Sequence, residues 1–290
     1  MPIEAFGSRV LLLVAHPDDE VVAAAAAIGR AKAQGAAVLA IYLSDGCLAR
    51  EAMWPWRRAG RVRAIARRRA EAQRAAALLG LEPIGWASRP ARRLWRELGE
   101  VHAEIDAAIV AHAPDQLWLP AYEGGNPDHD ALNGLGQLFQ RKMSVLEFAE
   151  YNFCGGAARA QEFPYPNGKE QTIVLTREER ELKRALLRLY ASERGNLNYV
   201  GTKRECFRPL GAYDYGMPPH PGTLWYARFQ WVPYRHPRID FTRPEEVSAA
   251  ISAFLDEAPE GRAQIEPTSA SFSPPRSVNA KPEEDGARRP

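Results

Sequence analysis

With 290 residues and 46% apolar content the chain can bury one large core or two small ones, which excludes a disordered or fibrous protein. Its 38 basic and 36 acidic residues leave a net charge of +2, so bulk charge gives no argument for nucleic acid or an anionic membrane as partner. The basic run Arg57 to Arg74 is read as a solvated helix face, because Ile65, Ala70 and Leu78 are spaced along the same segment. Cys47, Cys154 and Cys206 are widely spaced and form no CxxC pair. That argues against a disulfide framework or a cysteine zinc site, and a reducing cytoplasm is expected. Met1 to Arg9 lacks a basic n-region, and Val10 to Val14 is too short for a signal-peptide core or a membrane span, so export is not expected.

In chain order, the apolar run Val10 to Val14 reads as a buried strand that breaks into the polar cluster Ala15-His-Pro-Asp-Asp-Glu20. An alanine-rich helix, Val21 to Lys32, follows. Gly35 closes it, and Ala37 to Leu43 is a second strand ended by Ser44-Asp45-Gly46, completing a β-α-β unit. Cys47 to Gly60, carrying Trp54-Pro55-Trp56, is expected to be a loop over the same sheet edge. Arg61 to Leu79 is a long helix stopped by Gly80, and Leu81 to Ala87 a third strand with Trp86 in a packing role. A helix from about Leu94 to His112, a strand Asp115 to Leu119, a loop Pro120 to Pro127, a helix Asp128 to Arg141 and a strand Val145 to Tyr151 complete the alternation. This pattern predicts an α/β protein with a doubly wound, mostly parallel sheet flanked by helices, in which the polar loops after Val14 and Leu119 meet at one crevice.

The remainder is expected to be more irregular. Gln171 to Leu175 reads as a strand and Arg177 to Ser192 as an amphipathic helix with Leu182, Leu186, Leu187 and Tyr190 on one face. Tyr199 to Pro237, rich in Pro, Gly and aromatics, is read as loops shaping a pocket. Core packing is the stronger reading for Trp225 and Tyr226 there. Residues 1–258 are expected to form one domain, and 259–290, poor in large apolar residues, a disordered tail.

The chemistry concentrates in the two polar loops. His16 and Asp19, three apart at a strand-to-helix turn, can aim a nitrogen and a carboxylate oxygen at one point, and His129 in Asn126-Pro-Asp-His-Asp130 can supply a third donor. Two histidines and a carboxylate with an open position make a catalytic zinc site, and the same set suits ferrous iron. Asp18 lies between these ligands, where its carboxylate can take a proton from a metal-activated water and return it to a leaving amine. Glu20 is assigned to the first helical turn as a complement to the helix dipole. A nucleotide-binding Rossmann protein is disfavoured, because His-Pro-Asp-Asp stands where a glycine-rich phosphate loop is required.

Ala15-His-Pro-Asp-Asp-Glu20 after an apolar strand, with a later Pro-Asp-His opening a helix, resembles the PIG-L/LmbE family of zinc-dependent N-deacetylases. Ser44-Asp45-Gly46 and Arg68-Arg-Ala-Glu71 leading into Leu78-Leu79-Gly80 support the resemblance, which covers roughly Val10 to Tyr151. It implies a Rossmann-like fold and hydrolysis of an N-acyl group, usually N-acetyl on a glucosamine-type sugar or sugar conjugate. Position by position, His16, Asp19 and His129 would ligate zinc, Asp18 would be the general base, and Arg68 a candidate substrate contact or else a helix-surface arginine. One position departs: Asn126 stands where the family has a histidine that donates to the tetrahedral intermediate and is oriented by the aspartate that here is Asp128. Asparagine can donate a hydrogen bond but cannot transfer a proton. The alternatives are therefore a metal-dependent N-deacetylase, weakened or altered, and a zinc-binding but catalytically silent protein. Tyr122, in the same loop, is a candidate substitute donor, and a homo-oligomer stays open.

Overall fold

The computed structural model describes residues 6–258. Five strands run parallel at its centre: β1 (Arg9–Val14), β2 (Ala37–Tyr42), β3 (Glu82–Trp86), β4 (Gln116–Pro120) and β5 (Ser144–Phe148). The two-residue strands β6 (Tyr151–Asn152) and β7 (Arg159–Ala160) form a separate ribbon. β8 (Gln171–Val174) and β9 (Arg204–Pro209) extend the main sheet antiparallel, giving seven strands in the order β3-β2-β1-β4-β5-β9-β8. The sequential crossovers carry α1 (Asp19–Ala33), α2 (Arg61–Leu79), α3 (Leu98–His112) and α4 (Pro127–Gly136), and α5 (Arg177–Leu189) and α6 (Pro244–Glu257) pack later. Strand order reverses between β1 and β4, so the loops after these two strands flank a crevice, as the alternation of elements predicts.

Burial of the sheet on both faces explains why its central strands read as unbroken apolar runs. Along β1, Val10, Leu12 and Val14 join Ala23–Ala27, Ala72, Ala75 and Leu186 from the helices on one face. Leu11 and Leu13 join Val101, Ile105, Leu132, Leu135 and Ile251 on the other. At about 25 cal/mol per Å² of apolar area, a fully buried Leu contributes about 1.5–3 kcal/mol, so the two layers hold the sheet in place under the loops. Trp86 takes the packing role assigned to it, stacked on Tyr42 at 4.0 Å.

Several boundaries differ from the sequence expectation. α1 begins at Asp19 rather than Val21, so the polar turn is shorter and Asp18 is its N-cap. The helix expected from Leu94 divides into a single turn at Leu94–Arg96 and α3. Cys47 to Gly60 contains two short helical turns, Arg50–Ala52 and Pro55–Gly60. α4 ends at Gly136 rather than Arg141, and β5 ends at Phe148 because the chain leaves the sheet there and Tyr151 pairs with Ala160 instead.

The larger miss is β9, which lies within a stretch expected to be loop. Its sequence, Arg-Glu-Cys-Phe-Arg-Pro, hides a buried strand because its charges are paired internally: Glu205 Oε1 accepts from Lys183 Nζ at 2.8 Å and Arg208 Nε donates to Glu147 at 2.6 Å. The same pairing rotates α5, so Lys183 is buried and Leu182, assigned to the apolar face, is exposed. α6, which no sequence signal marked, packs on α4 through Ile251 against Gly134, where an added methyl would collide. The stretch 259–290, expected to be a tail, lies outside the described residues. No described helix is long and apolar enough to cross a membrane.

Candidate metal centre

The turn from β1 to α1 is tight and strained. Asp18 has φ 144° and ψ −22°, a region that costs a non-glycine residue of order 1–3 kcal/mol and is retained where neighbours over-determine it. Here the Asp18 N–H donates to Glu20 Oε2 at 3.1 Å, the His16 N–H donates to Asp19 Oδ2 at 2.7 Å, and the Val21 and Val22 N–H groups both reach the Asp18 carbonyl at 2.9 Å. Glu20 is fully buried and also takes the Tyr190 hydroxyl, so it braces the turn rather than complementing a solvated dipole. Burial pushes its carboxyl up to about 7.

The turn from β4 to α4 is built by Asn126, the helix N-cap, whose Oδ1 accepts the Asp128 N–H at 2.9 Å, followed by Pro127 at the first helical position. Gly125 is required before it: a Cβ there would lie 2.3 Å from the Tyr151 carbonyl oxygen. The loop is tied further by Asp130, which accepts the Glu123 and Gly124 N–H groups.

These turns bring three donor atoms together. His129 Nε2 lies 3.3 Å from His16 Nδ1 and 3.5 Å from Asp19 Oδ2, and His16 Nδ1 lies 3.6 Å from Asp19 Oδ2. A tetrahedral ion with bonds of about 2.0–2.2 Å sets its ligand atoms roughly 3.3–3.6 Å apart. The residues therefore fit a divalent cation, and the three are the buried donor cluster that His, Asp, Glu and Cys side chains make among the described residues. Each histidine has a carboxylate behind it. His16 Nε2 meets Asp128 Oδ2 at 3.0 Å, and His129 Nδ1 faces Glu150 Oε1 at 3.9 Å. At hydrogen-bond distance Asp128 fixes the tautomer and orientation of the His16 imidazole, whereas Glu150 faces His129 without a hydrogen bond. Burial lowers the His16 pKa, but the Asp128 and Asp19 carboxylates outweigh it and push it up to about 10. The pocket favours positive charge. Burial opposes ionisation of Asp19, yet His129 and His16 hold its carboxyl far below the usual range.

Asp128 is thus placed differently from the resemblance. It does not orient residue 126 with its carboxylate; it accepts from His16, from the Arg92 N–H at 2.5 Å and from the Leu94 N–H at 2.9 Å. Arg68 is corrected in the same way. It is not a surface arginine, being only 4% exposed, and its guanidinium is engaged by Asp18 Oδ2 at 3.0 Å, by Glu193 and by the Pro17 carbonyl at 3.0 Å. Gly46 leaves it space, since a Cβ there would meet Pro17 at 2.8 Å and the Arg68 Nε at 3.1 Å. Burial pushes the Asp18 carboxyl well up and the guanidinium opposes it. Tyr122 is occupied elsewhere: its hydroxyl donates to the Met217 carbonyl at 2.7 Å and its ring packs between Tyr213 and Tyr215.

Sequence reading passed over Glu150, Tyr151 and Glu193. Glu150 and Tyr151 follow β5, and residues just past the carboxyl end of a parallel strand are the signal that could have flagged them. Glu150 is 1% exposed with both carboxylate oxygens unpaired. The Asn126 side chain acts on the Tyr151 hydroxyl, lowering a pKa that burial raises, and the Tyr151 ring stands 5.9 Å from His129. Trp225 packs edge-on to Tyr151 at 5.2 Å with the Arg228 guanidinium over its ring at 3.7 Å, and Tyr226 is buried.

A doubly wound α/β sheet with a His-Asp-His donor cluster at its topological switch point defines the class. Residues 11–138 match the family described as PIG-L, GlcNAc-PI de-N-acetylase. The fold is similar to that of a deacetylase of the teicoplanin biosynthesis pathway, at 20% identity, covering 71% of this chain and 99% of that one with a TM-score of 0.57. It is also similar to the zinc-inhibited form of teicoplanin deacetylase (19% identity, 71% and 99% covered, TM-score 0.53). A third similar structure is the deacetylase of the antimicrobial A40926 pseudoaglycone (18% identity, 72% and 100% covered, TM-score 0.53). Among curated proteins none matches the chain.

Proposed function

We propose that the protein is a zinc-dependent N-deacetylase that removes an N-acyl group, in the first instance N-acetyl, from an amino sugar or sugar conjugate. The observation that carries this reading is the donor triangle of His16, Asp19 and His129, with edges of 3.3–3.6 Å, beside the carboxylate of Asp18. The family match, to a GlcNAc-PI de-N-acetylase, supports an N-acetylated amino sugar as the substrate class. A divalent ion held by these residues would supply Lewis-acid activation of water and of the acyl carbonyl. Zinc is the first candidate, with ferrous iron or another divalent ion as competitors.

The chain's own residues have separable parts in this scheme. Asp18 takes the proton from the attacking water and delivers it to the departing amine, and burial tunes it upward for that exchange. Arg68 holds the Asp18 carboxylate in place rather than touching substrate. Asp128 steadies the His16 imidazole. The Asn126 amide, with Oδ1 engaged as helix cap, and the Tyr151 hydroxyl beside it form a pair that can donate to the oxygen on which charge develops. We further place residues 1–258 in one domain acting in the cytoplasm on a small molecule, with no nucleic acid partner.

A second reading, metal binding without turnover, draws support from Asn126: its capping bond alone accounts for the residue. Metal analysis of the purified protein, then amine release from a panel of N-acetylated sugars with and without a chelator, separates the two. Chelator-sensitive release confirms the hydrolase; bound zinc without turnover on the panel supports the silent form; absence of bound metal removes both.

A further inference from the structure

A cavity of about 400 Å³ opens beside the metal centre, between the loop after β2, the loop after β3 and residues 235–242. Its wall backs onto the centre at Arg92, whose N–H binds Asp128, which holds His16, and the two loops are joined to each other where the Cys47 carbonyl, next to the lining residue Leu48, accepts the Ala91 N–H. Four arginines line the cavity against two carboxylates, and the pairing is uneven. Arg92 is bound by Asp240 at 3.3 Å and Arg93 by Glu51 at 2.5 Å. Arg96 and Arg235 are exposed and have no carboxylate partner among the described residues; the Arg96 guanidinium only overlies the Trp95 ring at 4.2 Å. The remaining wall is apolar, and its rim is aromatic: Trp54 stacks on the exposed Trp56 at 5.0 Å and meets His236 edge-on at 5.5 Å, and Phe241 is 42% exposed.

Unpaired guanidinium groups at the mouth of an apolar cavity are suited to one chemistry, an oxyanion carried on an apolar body. Arginine binds carboxylate and phosphate in a fork geometry, and the volume lies in the range of small-molecule sites. We propose that this cavity is a second subsite that holds an anionic, alkyl- or aryl-bearing portion of the substrate, remote from the acyl bond. The proposal rests on the hydrolase reading for the word substrate, but the binding itself does not.

The test uses the full chain, both zinc-loaded and chelated, in calorimetric titrations with hexyl phosphate, hexanoate, hexanol and inorganic phosphate. Hexyl phosphate or hexanoate should bind one-to-one in both forms, at least tenfold more tightly than hexanol and inorganic phosphate. The double variant Arg96→Gln/Arg235→Gln should weaken binding of the anionic probes tenfold or more, and Trp54→Ala should weaken it through the apolar body. No saturable binding by either anionic probe, or equal binding by the double variant, overturns the proposal and leaves the hydrolase reading intact. Binding only to vesicles containing phosphatidylglycerol, with none to the monomeric probes, overturns it in favour of a membrane surface. If the hydrolase panel shows turnover, the double variant should raise KM for an N-acyl substrate bearing such a group, at unchanged kcat, and leave neutral N-acetylglucosamine unaffected. Equal kinetics on both substrates overturns it.

Discussion

Asn126→Asp separates the two jobs of one side chain. Asn126 Oδ1 accepts the Asp128 N–H at 2.9 Å and caps α4, and Asp caps a helix about as well as Asn, so the folded state should lose less than about 0.5 kcal/mol. What the substitution removes is the amide donor that acts on the Tyr151 hydroxyl at the candidate metal centre. Loss of one preorganised donor to a developing oxyanion costs on the order of 10²–10³ in kcat, or about 2.7–4 kcal/mol. Asn126→Ala is the reference, since it removes cap and donor together and should cost a further 0.5–2 kcal/mol or about that in stability. Steady-state kinetics on an established N-acyl substrate, run beside urea unfolding, reads both quantities. The reasoning is refuted if Asn126→Asp keeps kcat/KM within threefold of the parent, which would leave Asn126 as a cap and nothing more. Asn126→His should show the converse, a higher kcat/KM at the expense of about 1 kcal/mol of helix capping.

Other substitutions probe the surroundings. Asp128→Asn leaves an amide N–H facing either Leu94 or the His16–Arg92 pair, so zinc affinity measured against a chromophoric chelator should fall about 10–100-fold; unchanged affinity would show that His16 needs no orienting partner. Lys183→Met strands the fully buried Glu205, which also accepts the Ala26 and Ala27 N–H groups, and should destabilise by about 3–5 kcal/mol in urea unfolding, with a loss below 1 kcal/mol counting against an ionised pair. Burial pushes the Glu123 carboxyl up to about 8 against hydrogen bonds from Glu150, Tyr151 and Asn152. The folded state therefore keeps a proton that the unfolded chain has released, and stability of the chelated protein should decline as pH rises from about 4.5 to about 8. Glu123→Gln should flatten that slope; an unchanged slope assigns it to another group.

How much of this the sequence discloses depends on where each residue's partner lies. β1, β2, β4 and the turns after them are readable because two-sided burial writes a continuous apolar run and because the donors sit in the turns that lead from β1 into α1 and from β4 into α4. α2 is placed to the residue because Gly80 breaks it. β9 is not readable, since Glu205 and Arg208 are charges satisfied by Lys183 and Glu147, and a local pattern cannot show a partner 22 or 61 residues away. Arg68 is misplaced for a similar reason. Its neighbours on α2 are exposed, and only the distant Asp18 and Glu193 make it an interior residue. Asn126, conspicuous as a departure, has a local cause after all in the cap it supplies.

The chain order of the site has a temporal consequence. His16, Asp19 and His129 all precede residue 130, on turns anchored by β1 and β4, whereas the Glu193 that clamps Arg68 follows α5, and β9, which joins β8 to the sheet, comes later still in the chain. During synthesis the cation grip can close on a half-made sheet, before the groove around it has its outer wall.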